Sequence, residues 1–425
     1  MLKCLHLLKN ISKIGLLLGK ETLYYLYHRE QNIFIKNVIQ EICCINMLYI
    51  KLFQSIANNK WIDKSINENI IKYTNNVPYK ETDIDYILLD KLRKQYELKY
   101  DSLIPINSGV ISLIFKVKQK NDEINILKIK RKNIDKNINE SIEEVRYLID
   151  LLYIFPFIRD LKVKYFFNNN VQLLQEQLNF DTEVNNILTF KEIFKNIDYV
   201  VIPQVYPYVT KNYSDVIMMK YIEGKQIQAI DTNNKEIAEI YSKMLLKISI
   251  IGFMSGVIHG DLHSGNLLFL DDLKICLLDF GIILKVKKDT IKLIINIIDD
   301  LYDKSAYELS INLLKIILTN FNKFYHSELK NHLHNLLQII STIITNVQIK
   351  STKYNIFNYF ECLNLVTKYI DEHKLNKYDI MLTADFYKLN LIFFMTSSII
   401  TKFCDKELLY IMNDVCKELF HTDLI

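Results

Sequence analysis

The chain has 425 residues, enough for two domains with separate hydrophobic cores. Half of the residues are hydrophobic, 24% are charged and the formal net charge is only +4, so the composition indicates a folded globular protein and no nucleic-acid partner. Seven cysteines without C-x-x-C spacing argue against a disulfide framework and a zinc site. No stretch reaches 18 uninterrupted apolar residues, so we expect no transmembrane helix, and Leu389 to Ile400 is predicted to be a core helix.

The first hundred residues show apolar periodicity with few helix breakers, which predicts a mostly helical region. Four lysines precede the first acidic residue, Glu21, and apolar residues recur between them. This pattern fits an organelle transit peptide and equally the first helix of the mature protein, and both interpretations stay open. Val77-Pro78 predicts a break in the helical pattern, because the residue before a proline is pushed out of helical geometry.

Residues 105–119 and 124–132 predict a β-hairpin, since two runs rich in β-branched residues flank a polar turn. Kinase glycine-rich loops read G-x-G-x-x-G-x-V on such a hairpin, with a V-A-I-K lysine on the following strand. On that template only the middle glycine survives, as Gly109. Lys128 is the best candidate to hold nucleotide phosphates, and Lys130 stays open because it projects on the same face of the strand.

A phosphate-binding lysine of this kind needs a carboxylate to fix it, and residues 178–190 offer Glu183 on a predicted helix. Further along, 199–203 and 216–221 predict two strands, followed by a turn at Glu223-Gly224. From residue 231 onwards apolar residues keep helical spacing and lead the chain to Gly256.

The stretch 256–281 has the spacing of a phosphoryl-transfer site. Protein kinases carry H-R-D-L-x-x-x-N and, about a dozen residues later, D-F-G. Apolar runs at 266–270 and 275–278 predict a hairpin that would hold Asn266 beside Asp279, two oxygen donors suited to Mg²⁺. Asp261 would act as base or orienting group for the nucleophile, and Gly260 replaces the arginine. The matching positions are His259, Asp261, Leu262, Asn266, Asp279, Phe280 and Gly281.

Beyond Gly281 the sequence predicts helices and no further chemistry. His332 and His334 are two residues apart and would not share a helix face, so a metal site there is not expected. The chain lacks an A-P-E signal, which argues against a conventional platform for peptide substrates.

Taken together, these motifs resemble those of the UbiB atypical kinases, also called the ADCK or aarF-domain group. The family's K-x-G-Q motif, N-V-P segment, alanine-rich nucleotide loop, V-A-V-K strand, E-A-x-N helix and H-x-D-x-H-P-G-N loop have counterparts in the same order. The counterparts here are KLFQ (51–54), NVP (76–78), PINSGVISLI (105–114), NILK (125–128), EVNN (183–186) and HGDLHSGN (259–266).

The resemblance implies an α+β, two-lobed protein-kinase-like fold, with a helical extension at 1–100, a β-rich lobe at 101–223 and a helical lobe at 224–425. It implies use of ATP and Mg²⁺, with ATPase, small-molecule or lipid-linked activity. Family members commonly support ubiquinone or other isoprenoid-lipid metabolism at mitochondrial or plastid membranes, so lipid or membrane-surface association is an expectation. The implied residues are Lys51, Lys128, Glu183 and Asp261 for catalysis, Gln54, Asn107, Ser108, Gly109 and Lys128 for the nucleotide, and Asn266 and Asp279 for the metal.

The chain departs from the family pattern in three places. Phe53 replaces the glycine of K-x-G-Q, residues 107–109 replace the three alanines while Leu113 replaces the loop glutamine, and Lys220 stands where a hinge acid is usual. Two alternatives stay open. One is an aminoglycoside- or choline-kinase-like phosphotransferase, whose loop also reads H-G-D-L-H-x-G-N; the other is a nucleotide-binding scaffold with little turnover.

Overall fold

The computed structural model describes residues 77–152, 174–230, 234–349 and 357–401, together with isolated positions outside these ranges. The chain divides into two compact units, Met1–Leu188 with Pro203–Ile222 and Thr189–Ile202 with Glu223–Ile425. The predictions for Lys51, Phe53 and Gln54, and most of the predicted helical extension, lie outside the described residues.

The first unit is built on an antiparallel sheet. Its strands are β1 (Lys99–Tyr100), β2 (Asn107–Ser108), β3 (Ser112–Lys118), β4 (Ile124–Lys130) and β6 (Val216–Lys220), in the order β1-β3-β4-β6 with β2 also paired to β3. The predicted hairpin is therefore confirmed as β3–β4. Its turn includes Asp122 at φ 64°, a left-handed conformation that aspartate adopts more readily than most residues.

One face of this sheet forms the core of the first unit. Phe115 alternates with less buried residues along β3. Together with Leu127 on β4 and Met218 on β6 it packs with Leu89 and Leu92 of helix α1 (Tyr86–Gln95). The side chain of Asp85 caps α1 by accepting a hydrogen bond from the Leu88 amide at 3.0 Å. Burying this face fixes the register, so that Lys128 lies between Ile114 on β3 and Ile217 on β6.

Three further helices lie wholly or partly in the first unit, whose long segment ends at Leu188, within the second of them. They are α2 (Ile134–Leu152), α3 (Phe180–Ile193) and α4 (Pro207–Asn212). Helix α3 confirms the helix predicted around Glu183, whereas α4, between the two predicted strands, was not predicted. Its first residue, Pro207, suits a helix start because a proline there loses no hydrogen bond.

The second unit begins its site-bearing part with α5 (Lys235–Met254), whose first turn is capped by Asn234. Strands β7 (Val257–His259) and β10 (Ile283–Lys285) pair antiparallel. Strands β8 (Leu267–Leu270) and β9 (Lys274–Leu277) form the predicted hairpin, and β5 (Val200–Val201) adds to β9 in parallel. The predicted strands at 199–203 and 216–221 are thus both present, in different sheets.

The rest of the second unit is helical, with α6 (Lys288–Asp299), α7 (Ala306–Ile317), α8 (Lys330–Ile349), α9 (Phe357–Glu372) and α10 (Ala384–Ile400). The segment predicted as a core helix lies in α10, where Ile392, Met395 and Ile399 are buried. Among the described residues, none of the helices has the length and apolar character needed to cross a membrane. Helices combined with mostly antiparallel sheets confirm the α+β prediction.

Candidate functional site

Lys128 and Glu183 form a buried ion pair in the first unit. The Lys128 Nζ lies 2.6 Å from Glu183 Oε1, and the two residues are only 8% and 2% exposed. Lys128 is fixed by its central position on β4, and Glu183 belongs to the first turn of α3, where the helix dipole favours a negative charge. Burying two charges is costly and often gives no net stability, so the pair is a candidate functional contact.

Lys130 has different surroundings, although it lies two residues further along the same strand. Its Nζ lies 3.0 Å from Asp215 Oδ1 and 3.4 Å from Asp135 Oδ1, and both carboxylates are more than half exposed. The Phe180 ring is near both lysines, 5.7 Å from the Lys128 Nζ and 5.6 Å from the Lys130 Nζ. The geometry favours Lys128, because only Lys128 contacts the predicted glutamate.

The predicted nucleotide loop is held by main-chain contacts. Asn107 and Ser108 form β2, and Gly109 begins a turn in which its amide donates to the Ser112 carbonyl at 2.8 Å. Ser108 is buried, its hydroxyl donates to the Val77 carbonyl, and the Val77 amide donates to the Ser108 carbonyl at 2.8 Å. The Ser108 side chain therefore has a structural bond to the N-V-P segment, while Asn107 is exposed.

Arg131, which the sequence reasoning missed, makes the densest set of bonds at this loop. Its guanidinium donates to the carbonyls of Gly109, Val77 and Pro78 at 2.7–3.2 Å and pairs with the Asp83 carboxylate at 2.9 Å. Burial lowers the pKa of Arg131, and the Asp83 charge acts in the opposite direction. No local motif signals this role, because the partners lie 22 to 54 residues away in sequence.

In the second unit, His259 anchors the stretch that carries the predicted catalytic residues. Its Nε2 lies 3.0 Å from the Leu278 carbonyl, and its Nδ1 accepts the Asp261 amide at 3.3 Å. This assigns the proton to Nε2 in a neutral ring, and burial lowers the pKa of His259 in agreement. The ring packs against Phe190 and Phe280, with centroids 6.0 and 5.3 Å away.

Asn266 and Asp279 lie together at the open end of the β8–β9 hairpin. The Leu278 amide donates to the Asn266 carbonyl at 2.9 Å, which places Asn266 beside the residue preceding Asp279. The Asn266 side-chain nitrogen donates to the Asp261 carbonyl at 2.9 Å. The side-chain oxygen of Asn266 is therefore the atom with the chemistry of a metal ligand. Asp279 has φ 53°, and its Oδ1 accepts the Gly281 amide at 3.2 Å.

These residues fit a magnesium ion by the chemistry of their donors. Mg²⁺ takes oxygen ligands and is usually held by one or two carboxylates together with phosphate and water oxygens. The amide oxygen of Asn266 and the carboxylate of Asp279 are donors of this kind. Within the described ranges, no group of three or more His, Cys, Asp or Glu residues could hold a metal by itself. The Nδ1 of His332 lies 3.0 Å from the Tyr369 hydroxyl.

The structure explains why glycine replaces arginine at position 260. A Cβ at Gly260 would lie 2.6 Å from the Ile282 Cγ2 and 3.1 Å from the Leu284 Cγ, because β7 and β10 pair directly at this point. After Gly281 the chain enters β10 and reaches α6 at Lys288, and Asp385 bonds to the Lys287 amide and the Thr290 hydroxyl. The segment between D-F-G and α6 is therefore short, and hydrogen bonds to Asp385 fix its end.

Comparisons with known proteins show which family the chain resembles. The ABC1 atypical kinase-like domain model matches residues 72–311. A Synechocystis protein is 26% identical over 215 residues, covering 48% of this chain and 52% of the relative. A Clostridium pasteurianum protein from the hydrogenase 1 5' region is 25% identical over 296 residues, covering 68% and 54%. The chain spans about half the length of these two relatives.

A plant relative carries a kinase name. The Arabidopsis thaliana protein "ACTIVITY OF BC1 COMPLEX KINASE 7, chloroplastic" is 29% identical over 156 residues, covering 34% of this chain and 21% of the relative. The family model covers more than half of the chain and includes Lys128, Glu183, Asp261, Asn266 and Asp279. The predicted resemblance is confirmed, and the chain, with its kinase-like α+β fold, belongs to the ABC1 atypical kinase-like family.

Proposed function

We propose that this chain binds Mg-ATP and transfers the γ-phosphoryl group, as an atypical kinase or ATPase. The observation that carries the proposal is the buried contact of 2.6 Å between Lys128 and Glu183. Kinases use a strand lysine fixed by a helix glutamate to hold nucleotide phosphates. A core that needed only stability would gain more from apolar side chains of similar volume than from a buried pair.

The remaining residues have roles that follow from their chemistry. Asp261 orients the acceptor hydroxyl or a water molecule and accepts its proton. Asn266 and Asp279 hold Mg²⁺, which when bound neutralises charge on the phosphate oxygens. Neutral His259 keeps the Asp261 backbone in place through the bond from the Asp261 amide. Lys51 and Gln54 complete the proposal through the family resemblance alone.

For the molecule that accepts the phosphoryl group, we propose only a class. The family resemblance supports a role in ubiquinone or other isoprenoid-lipid metabolism, with association to a lipid or membrane surface. Comparing isoprenoid quinones in cells with and without the protein tests this role. Unchanged quinone levels, together with intact ATP hydrolysis, would favour a small-molecule or protein acceptor instead.

Calorimetric titration with Mg-ATP tests nucleotide binding, with Lys128→Met and Lys130→Met as a matched pair. Both substitutions remove one ammonium from the same face of β4. We expect Lys128→Met to weaken binding at least about tenfold, the loss expected for one charge-assisted contact. Lys130→Met should bind ATP like the unmodified protein, since its partners are Asp215 and Asp135. Equal affinities in the two variants would contradict the assignment.

Hydrolysis separates this proposal from a nucleotide-binding scaffold. If Mg-ATP binds with the expected dependence on Lys128 but no phosphate is released and no acceptor is labelled, the scaffold interpretation is correct. If radiolabelled phosphate appears in water or on an acceptor and disappears in Asp261→Asn, the chain is an enzyme.

A further inference from the structure

Arg131 lies at the meeting point of three segments of the first unit. Its guanidinium makes two bonds to the Gly109 carbonyl, at 2.7 and 3.0 Å, and one each to Val77 and Pro78. Asp83 neutralises it at 2.9 Å. Arg131 is only 5% exposed and follows β4 directly, three residues after Lys128.

The main chain at Arg131 completes this connection. The Arg131 amide donates to the Ile111 carbonyl at 2.8 Å, and the next amide, Lys132, donates to the Asp83 carbonyl at 2.8 Å. Two carbonyls of the Gly109–Ser112 turn, those of Gly109 and Ile111, are thus both directed at Arg131.

This arrangement orients the amides of the turn. No peptide bond in the described residues is cis, and in a trans peptide the N–H points opposite to the C=O. Fixing the carbonyls of Gly109 and Ile111 on Arg131 therefore turns the following N–H groups, of Val110 and Ser112, to the other side. Backbone N–H groups set by a tight turn are a common means of binding phosphate.

We propose that Arg131 is a positioning residue for the nucleotide phosphates: it holds the Gly109–Ser112 turn to the Val77–Asp83 segment and in register with Lys128. That the turn binds a nucleotide rests on the proposed function. That Arg131 holds the turn in place rests on the hydrogen bonds alone. Arginine suits the task because its planar fork reaches several carbonyls at once, which an ammonium cannot do.

The test uses Arg131→Met and Arg131→Lys, with Thr210→Val as the matched control. Thr210 is buried in the same unit and donates to the Val216 carbonyl at 2.8 Å, so its loss also removes a buried bond to the main chain, but none of its bonds involves the turn. The three variants are compared by melting temperature and by calorimetric affinity for Mg-ADP and for adenosine.

We expect Arg131→Met to bind Mg-ADP at least about tenfold more weakly, while adenosine affinity changes by less than about twofold. Arg131→Lys should fall between Arg131→Met and the unmodified protein, because it keeps the charge without the fork. Thr210→Val should lose melting temperature without losing Mg-ADP affinity. Equal losses for adenosine and Mg-ADP, or equal losses in Thr210→Val, would overturn the proposal.

Hydrogen exchange of residues 105–114 supplies a readout that needs no ligand. Faster exchange in Arg131→Met than in Thr210→Val supports the holding of the turn, and equal exchange overturns it. If the unmodified protein fails to bind either ligand, the proposed function is wrong, and the exchange result still decides what Arg131 does. If Arg131→Met does not fold, Asp83→Asn takes its place. It removes the negative charge that pairs with Arg131, while the asparagine oxygen can still accept the Lys80 amide, and it should speed exchange at the same turn.

Discussion

The loop at 107–112 in the first unit and the stretch 259–281 in the second are stabilised in different ways. In the second, His259, Asn266 and Asp279 are fixed by main-chain groups at most 19 residues away. In the first, the turn at Gly109 is fixed by Arg131 and by Val77, 22 and more residues distant. A stretch that supports itself can be recognised from spacing, and a loop supported from outside cannot.

The largest effect should come from Asp261 in the self-supporting stretch. Asp261→Asn should lower ATP turnover by about 10²–10⁴-fold and leave nucleotide affinity unchanged, because one positioned acid–base group is lost while the backbone bonds to His259 and Asn266 remain. Single-turnover hydrolysis with a parallel binding titration measures both quantities. Near-normal hydrolysis would make Asp261 a structural residue.

Gly260 sharpens the comparison through packing. Gly260→Ala should lower the free energy of unfolding by about 1–3 kcal/mol, because the added methyl would lie 2.6 Å from the Ile282 side chain and 3.2 Å from the Ile282 carbonyl. Urea unfolding of the variant beside the unmodified protein tests this. Unchanged stability would mean that β7 and β10 separate more easily than their pairing suggests.

His259 gives the second unit a dependence on pH. Burial lowers the pKa of folded His259 below its ordinary value, so the unfolded chain takes up the proton first as the pH falls. The contribution of neutral His259 to the free energy of unfolding is complete above about pH 6.5. As the pH falls below that value, this contribution decreases by up to about 1.4 kcal/mol per pH unit.

Stability measured from pH 7.5 to 5 tests this dependence with His259→Gln, and with His334→Gln as an exposed control. The decrease in the free energy of unfolding with falling pH should become shallower in His259→Gln and stay unchanged in His334→Gln. A slope that survives in His259→Gln would place the titrating group elsewhere.

The smallest effect should come from Gly109, where the loop has room. A Cβ there would meet nothing closer than the Ser112 carbonyl at 3.7 Å, and Gly109 does not have the left-handed φ that excludes alanine. Gly109→Ala should therefore raise the free energy of unfolding by about 0.4–1 kcal/mol through the unfolded chain. A loss of stability like that of Gly260→Ala would contradict the contrast between the two regions.

Sequence reasoning predicted what depends on local pattern. The β3–β4 and β8–β9 hairpins and the helix bearing Glu183 are present, and the predicted contact of Glu183 with Lys128 is observed. Register and alternation make such features visible, because burial on one face fixes which side chains meet. The sequence could not decide between Lys128 and Lys130, because both side chains project from the same face of the strand. The choice required the ion-pair partners seen in the structure.

The sequence did not reveal features that depend on distant contacts. Arg131 lies three residues after Lys128, and no sequence motif marks it. Its hydrogen-bond partners are distant in sequence and come together only in the folded structure. Ser108 aligned with a nucleotide-binding loop, yet its hydroxyl bonds to Val77. Helix α4 starts at a proline between two strands and has too few residues for a periodic signal.

Calorimetric titration of ATP into the unmodified protein and Asp279→Asn, each with and without magnesium, tests the central claim most directly. Asparagine accepts the left-handed backbone at this position, and its Oδ1 can keep the bond from the Gly281 amide, so the variant removes charge and little else. We predict that magnesium strengthens ATP binding to the unmodified protein and has no such effect on Asp279→Asn. Equal, magnesium-strengthened affinity in both proteins would contradict the assignment of Asp279 to the metal and the phosphoryl-transfer site built on it.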